Sequence, residues 1–147
     1  MSEKIEKSIF IQGPINAGII ADSIQRHSSK TNIGAHNIFL GQVRNDIVGD
    51  QEVSAIEYTS HELLAIKKME EIREGIFKKY DLICMHVLHS LGKIQVGEIC
   101  LFVFASSKHR KMANDACQDM VEQIKNELPI WGREIFYDGN YKWKENC

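Results

Sequence analysis

Hydrophobic and polar positions change period several times along this chain, and the changes mark out its elements. Ser8 to Gln12 reads as a short strand stopped by Gly13-Pro14. Ile15 to His27 follows with Ile15, Ile19, Ile20 and Ile24 on one stripe, which predicts a modest helix. Ser28-Ser29-Lys30-Thr31-Asn32 is a polar turn. Gly34 to Val43 reads as a strand, and Asn45 to Gln51 as a polar loop centred on Gly49-Asp50. Val53, Ala55 and Glu57 then alternate with Ser54, Ile56 and Tyr58, a strand with both faces at least partly covered.

From His61 to Tyr80 the period lengthens. Leu64, Met69, Ile72, Ile76 and Tyr80 recur at helical intervals among lysines and glutamates, so a long amphipathic helix is predicted. Leu82 to His89 and Gly97 to Ala105 are two further strands, with Leu91 to Gly97 as a glycine-punctuated connection. A second long helix is predicted from about Lys108 to Glu127. Met112, Ala116, Met120 and Ile124 form one apolar row, and Ala113, Cys117 and Val121 its neighbour. Pro129 ends it. Ile130 to Tyr137 is a last strand, and Asp138-Gly139 begins a polar turn before Tyr141 and Trp143. The alternation lacks the regular rhythm of a doubly wound sheet. It predicts an α+β, or mixed two-layer α/β, fold with long helices against one sheet face. With no repeat, low-complexity tract or linker, residues 1–147 read as a single domain.

Composition adds limits to that picture. Hydrophobic residues make up 44% and charged residues 26%, the balance of a folded globule. The net charge of -2 gives no reason to expect nucleic acid or an anionic membrane as partner, although a local basic pocket can still hold a small anion. MSEKIEKSIF carries no continuous apolar core, and no apolar run approaches a bilayer's width, so a cytoplasmic chain is expected. Of four cysteines, Cys84, Cys100 and Cys117 sit among apolar neighbours and read as reduced core residues; Cys147 is terminal and reads as exposed. His61, His86 and His89 lack metal-ligand spacing, so no metal is assigned. No cofactor-binding fingerprint, phosphate loop or catalytic serine motif is present either.

Three segments carry polar residues that core packing does not require. These are Gly41-Gln42-Val43-Arg44, Ser106-Ser107-Lys108-His109-Arg110, and Lys125 with Pro129-Ile130-Trp131-Gly132-Arg133-Glu134. Arginine offers a rigid fork for phosphate, lysine is a mobile charge with an adjustable pKa, and helix-start N–H groups favour anions. Together they suit a phosphorylated or carboxylate-bearing ligand. Each also has a plainer reading. Arg44 can be a solvated strand-end charge, and Lys125 sits in a last helical turn, where the macrodipole favours a cation. His109 and Arg110 stand at a helix start, where the dipole disfavours them, and that conflict points towards an anionic partner. His109 and Lys125 are sixteen residues apart, roughly 24 Å along a straight helix. If both serve one site, that site is completed across a dimer interface.

In order along the chain, these segments resemble the large subunit of molybdopterin synthase, the MoaE family. The resemblance runs from Gly34-Ala35 through Gly41-Gln42-Val43-Arg44 and Gly49 to His89, Leu91-Gly92 and Val96-Gly97-Glu98. It continues through Ser107-Lys108-His109-Arg110, Lys125, Pro129-Ile130-Trp131 and Arg133-Glu134 to Trp143. It implies an α/β hammerhead-like fold with an additional antiparallel sheet subdomain. It also implies a sulfurtransferase acting on cyclic pyranopterin monophosphate, with a small ubiquitin-like sulfur-carrier subunit presenting a C-terminal glycine thiocarboxylate as donor. Two transfers would make the dithiolene of molybdopterin, and a central homodimer with one carrier at each end would form a heterotetramer. Carried over by position, Lys125 matches the principal catalytic lysine and Arg44 a substrate-contacting arginine. His109 and Arg110 match a pair reaching the substrate from the neighbouring subunit. Gln42, Val43, Gly132, Arg133 and Glu134 belong to the same binding segments, Arg133 in a positioning role. Two positions depart from the family. Gly132 stands where a second functional lysine usually follows the tryptophan, and Ser90 where arginine is common. Lys93, Lys108 and Arg133 are the alternative sources of the missing charge. A non-catalytic or weakly active carrier-binding paralogue is the alternative reading.

Overall fold

The computed structural model describes residues 9–144; Ser8, the N-terminal stretch and Cys147 lie outside them. The chain order is β1 (Phe10–Gln12), α1 (Ala17–Arg26), a 3-10 turn (His27–Ser29), β2 (Ala35–Gln42), β3 (Ile47–Val48) and β4 (Gln51–Ser60). Next come α2 (Glu62–Lys79), β5 (Cys84–Gln95), β6 (Ile99–Ser107), α3 (Arg110–Glu127), β7 (Ile130–Phe136) and β8 (Tyr141–Trp143). Strands follow one another across the sheet as β2-β6-β5-β4-β7-β8, with β1 added in parallel on β5 and β3 on β4. The architecture is mixed α+β.

Strand β5 explains the shape. Its first half pairs with β6 from Cys84 to His89, and its last residues pair with β4 from Gly92 to Gln95. Between them Gly92 takes a φ of 89°, a left-handed conformation open to glycine at no steric cost. The strand therefore leaves one sheet and enters a second, which β4, β7 and β8 complete. The sequence pattern placed a connection over Leu91 to Gly97. The glycine signal there marks a bend inside a continuous strand, and the turn itself is confined to the residues before Ile99.

Both faces of the first sheet are covered, so β6 is apolar without alternation. Leu101, Val103 and Ala105 point to the long helices, where Met69, Ile72 and Ile76 of α2 meet Ala116, Met120 and Ile124 of α3. Phe102 and Phe104 point the other way, beneath Ile15, Ile19 and Ile20 of the α1 segment. The two-layer expectation thus becomes three layers here, because α1 crosses to the face the long helices leave open. A third cluster of Val43, Val53, Ile56, Ile94, Cys100 and Phe136 fastens the second sheet. Burying each such large side chain contributes about 1.5–3 kcal/mol.

The helix bounds follow local chemistry. His61 caps α2, its Nδ1 accepting from the Leu64 amide at 3.3 Å, and the buried Ser107 hydroxyl accepts from Ala113 at the start of α3. The polar loop expected from Asn45 to Gln51 instead contains β3 and a tight hairpin, turned at Gly49 with a φ of 67°. Tyr141 to Trp143, outside any strand in the sequence reading, pairs with β7 as β8. Cys84, Cys100 and Cys117 are buried and unpaired, as their apolar neighbours suggested.

Candidate active site

The two sheets diverge on either side of β5, and the C-terminal end of α3 overhangs the gap. A cavity of about 440 Å³ opens there. Its walls are Phe39 to Gln42 of β2, Arg44, Asp46, Ile56 and Tyr58 of β4, His89 of β5 and Cys100 of β6. Lys125, Trp131, Gly132, Glu134 and Lys144 line it as well, with Leu101, Ile124 and Ile130 as its apolar backing. Segments far apart in sequence converge because the β4–β7 register sets Tyr58 opposite Gly132 and Ile56 opposite Glu134. Side chains alternate along β7, so the same pairing sends Arg133 and Glu57 to the other face.

The structure brings five of the candidate residues to this cavity: Gln42, Arg44, Lys125, Gly132 and Glu134. Arg44 is held by Asp46 at 3.2 Å while staying largely exposed. Lys125 lies in the last turn of α3, close enough to His89 for its charge to act on the imidazole. Glu134 is nearly buried, at 9% exposure, and its charge reaches Tyr58. Val43, between Gln42 and Arg44 in sequence, does not line the cavity: its side chain is in the core, and its backbone bonds to Gly97 and Glu98. Arg133 pairs with Glu57 at 2.6 Å and lies 4.4 Å over the Tyr141 ring, tying β7 to its neighbours. His109 and Arg110 stand at the opposite end of α3, which runs unbroken from Arg110 to Glu127. Within one chain that leaves them roughly 22 Å or more from Lys125.

Three cavity residues have no role in the sequence reading. The His89 ring is buried against Tyr58, 5.0 Å between centroids, and its Nδ1 donates to the Ser90 carbonyl at 2.8 Å. Nε2 is therefore the acceptor of a neutral imidazole. Burial and then the nearby Lys125 ammonium push its pKa down to about 4. Tyr58 reaches Cys100 Sγ with its hydroxyl at 3.6 Å; burial first, and then Cys100, pushes the phenol well above its ordinary range. It remains a neutral donor. Lys144 enters beside Gly132, its amide donating to the Gly132 carbonyl at 2.8 Å. None of Lys93, Lys108 and Arg133 lines the cavity; Lys144 does.

Position 132 itself is crowded. A Cβ there would stand 3.0 Å from Ile56 Cγ2 and 3.1 Å from Tyr58 Cε1. Tyr58 and Ile56 would have to give by a few tenths of an ångström to admit a side chain. In formal charge the cavity holds three fixed cations (Arg44, Lys125, Lys144) against two carboxylates (Asp46, Glu134), with the neutral His89 beneath. Such a site can hold an anion, donate protons from ammonium groups, and accept one at an imidazole.

Fold and cavity define a mixed α+β domain with a cation-rich pocket at the junction of two sheets. The model of the MoaE protein family matches residues 14–127. The molybdopterin synthase catalytic subunit of Neosartorya fischeri is 38% identical over 120 residues, covering 82% of this chain and 63% of that protein. The one from Pyrococcus abyssi is 34% identical over 117 residues, covering 80% of this chain and 78% of that protein. The crystal structure of molybdopterin synthase from Staphylococcus aureus superposes with a TM-score of 0.82 at 28% identity, over 97% of this chain and 99% of that one. A complex of subunits 1 and 2 of molybdopterin-converting factor from Helicobacter pylori shares the fold, with a TM-score of 0.78 at 21% identity over 92% of this chain and 88% of that one. The chain belongs to the MoaE family. It spans 63% of the length of the Neosartorya fischeri relative.

Proposed function

We propose that this chain is the catalytic subunit of a molybdopterin synthase, a sulfurtransferase converting cyclic pyranopterin monophosphate to the dithiolene of molybdopterin. The observation that carries the reading is the convergence of Arg44, Lys125 and Lys144 around one cavity floored by a neutral histidine. The phosphate of the substrate and the carboxyl-type terminus of a carrier are both anions, and two of them need this excess of cations. The donor is a small ubiquitin-like carrier whose C-terminal glycine thiocarboxylate enters past the half-exposed Trp131. The thiocarboxylate sulfur bonds to a substrate carbon as a C–O bond of that carbon breaks, its oxygen leaving as water or staying on the phosphate. Water then attacks the glycine carbonyl carbon, its C–S bond breaks, the sulfur stays on the substrate, and the carrier leaves as a carboxylate. Lys125 stabilises the negative charge that develops and moves a proton. Arg44 and Gln42 orient the anions, and Glu134 orients the lysines.

Lys144 supplies the second ammonium, the role that the family resemblance gives to position 132. His109 and Arg110 serve the neighbouring copy's cavity in a homodimer, and a carrier at each end makes the heterotetramer. The length of the unbroken α3 supports that assignment. The Helicobacter pylori assembly of two subunits supports a small partner. The setting is the cytoplasm, which three unpaired buried cysteines suit.

A carrier-binding paralogue with little activity is the second reading, favoured by Gly132 alone. One experiment separates them. The chain is mixed with thiocarboxylated carrier and cyclic pyranopterin monophosphate, and product is followed by mass spectrometry. Molybdopterin that depends on both additions is expected. A stable complex with the carrier and no product would overturn the catalytic reading in favour of the paralogue.

A further inference from the structure

A second group of ligating side chains lies on the α1 face of the first sheet, and none of them lines the cavity. Register places Cys84 of β5, Ser106 of β6 and His36 of β2 in one row across the strands, with His86, Phe104 and Ile38 in the next. The apolar part of this face is covered by α1. Where α1 ends, the 3-10 turn folds His27 down over Phe104, with ring centroids 4.8 Å apart. That places a buried imidazole, 8% exposed, above a buried thiol, Cys84, 4% exposed.

The three groups are arranged with their lone pairs converging. His27 Nδ1 donates to the Ser23 carbonyl at 2.7 Å, so Nε2 of the neutral ring is an acceptor. That Nε2 lies 2.9 Å from His86 Nε2. With Cys84 Sγ, the three ligand atoms all lie within 4.8 Å of one another. A tetrahedral zinc ion with nitrogen at about 2.0–2.1 Å and sulfur at about 2.3 Å needs separations of roughly 3.3–3.6 Å. Rotamer adjustments of roughly an ångström, shared among the three side chains, close the difference. The Ser23 carbonyl on the far nitrogen of His27 is the kind of outer contact that fixes a ligating imidazole. Lys30 Nζ stands 3.0 Å from Cys84 Sγ, at the edge of the group. His36 is adjacent, but its Nδ1 is engaged by the Ser106 hydroxyl at 2.7 Å.

We propose that His27, Cys84 and His86 form a binding site for a borderline-soft divalent metal ion, with zinc the favoured occupant and the fourth position open to solvent. Two imidazoles and one thiolate are a set that zinc and cobalt accept and that magnesium and calcium do not. Binding releases the Cys84 proton, moves the Lys30 ammonium aside, and shifts the His86 proton to Nδ1. The ion would fasten the end of α1 to the first half of β5, the stretch that also carries His89 into the cavity three residues after His86. Spacing alone conceals the site, since His27 is separated from His86 by 59 positions and only the sheet brings them together.

Cobalt titration of the full chain tests this directly. One equivalent should produce thiolate-to-cobalt charge-transfer absorption and tetrahedral visible bands, and zinc should displace both. Cys84→Ser should abolish the charge-transfer band, while Cys147→Ser leaves it intact. His86→Gln, at a partly exposed position with little consequence for folding, should weaken binding at least about tenfold. Zinc should also raise the melting temperature of the parent chain and not of His86→Gln. The proposal is overturned if no thiolate band forms, if the band survives Cys84→Ser, or if His86→Gln binds as tightly as the parent. The last two results would place the metal elsewhere, and the first would leave the cluster as a hydrogen-bonded one.

Discussion

Acidification should charge His89 against its surroundings, and the size of the penalty follows from where the ring sits. In the folded chain its pKa is pushed down to about 4 from the ordinary 6.5, by burial and then by the Lys125 ammonium. Between those values the unfolded chain binds a proton that the folded chain does not, so stability rises with pH in that window. The contribution of His89 is fully present above about pH 6.5. It falls as pH drops and bottoms out near pH 4, a total of about 3 kcal/mol. At about pH 5 the loss already amounts to about 2 kcal/mol, a sizeable part of a typical domain's stability.

Urea denaturation of the parent and of His89→Gln at matched pH values isolates this effect, since every other titrating group is common to both. The parent should lose about 2 kcal/mol more than the variant between neutral pH and about pH 5. Imidazole resonances followed by NMR should place the His89 titration near 4, well below an exposed histidine. Equal pH slopes in the two proteins, or an imidazole titrating near 6.5, would refute the reasoning. Either would mean that water reaches the ring and that its neutral state at the cavity floor is not enforced by burial.

Lys125→Ala should lower product formation by at least about a hundredfold with an unchanged urea midpoint; full activity would remove Lys125 from the chemistry. Lys144→Ala should raise KM for the phosphorylated substrate by about tenfold, and Lys144→Arg should restore most of the loss, both read from initial rates across substrate concentration. An unchanged KM in Lys144→Ala would exclude it as the second cation. Met120, fully buried between α3 and the first sheet, should cost about 2–5 kcal/mol when cut to alanine, measured by urea denaturation.

Much of the scaffold was legible because the periods were clean. The stripes through Ile72 and Ile76 and through Met120 and Ile124 placed both long helices within a residue or two of their ends. Errors fell where tertiary pairing overrides a local signal. Gly92 and Gly97 read as turn residues, yet only backbone pairing with β4 could reveal that the chain continues as a strand through Gly92. Ile47-Val48 and Tyr141-Lys142-Trp143 are too short to show a period, and both become strands by annexing an existing edge. Nor does hydrophobicity assign a helix to a layer. Each of α1, α2 and α3 carries an apolar stripe, and only β6, apolar on both faces, hinted that each side of the sheet needed a cover.

The candidate site was legible in its charges and not in its geometry. Arg44 and Lys125 stood out because packing gave no reason for them, whereas His89 and Tyr58 look like ordinary members of apolar strands until β4, β5 and β7 are placed side by side. Gly132 illustrates the difference most fully. Read along the chain it is a missing ammonium. Across the sheet it is the residue opposite Tyr58, packed closely beneath Ile56 and Tyr58, and its carbonyl holds the amide of Lys144. A cation twelve positions later in sequence thus borders the same cavity from the neighbouring strand end. Charge in a pocket is set by which side chains the fold gathers there, so a departure from a motif weighs only as much as its spatial neighbours leave uncompensated.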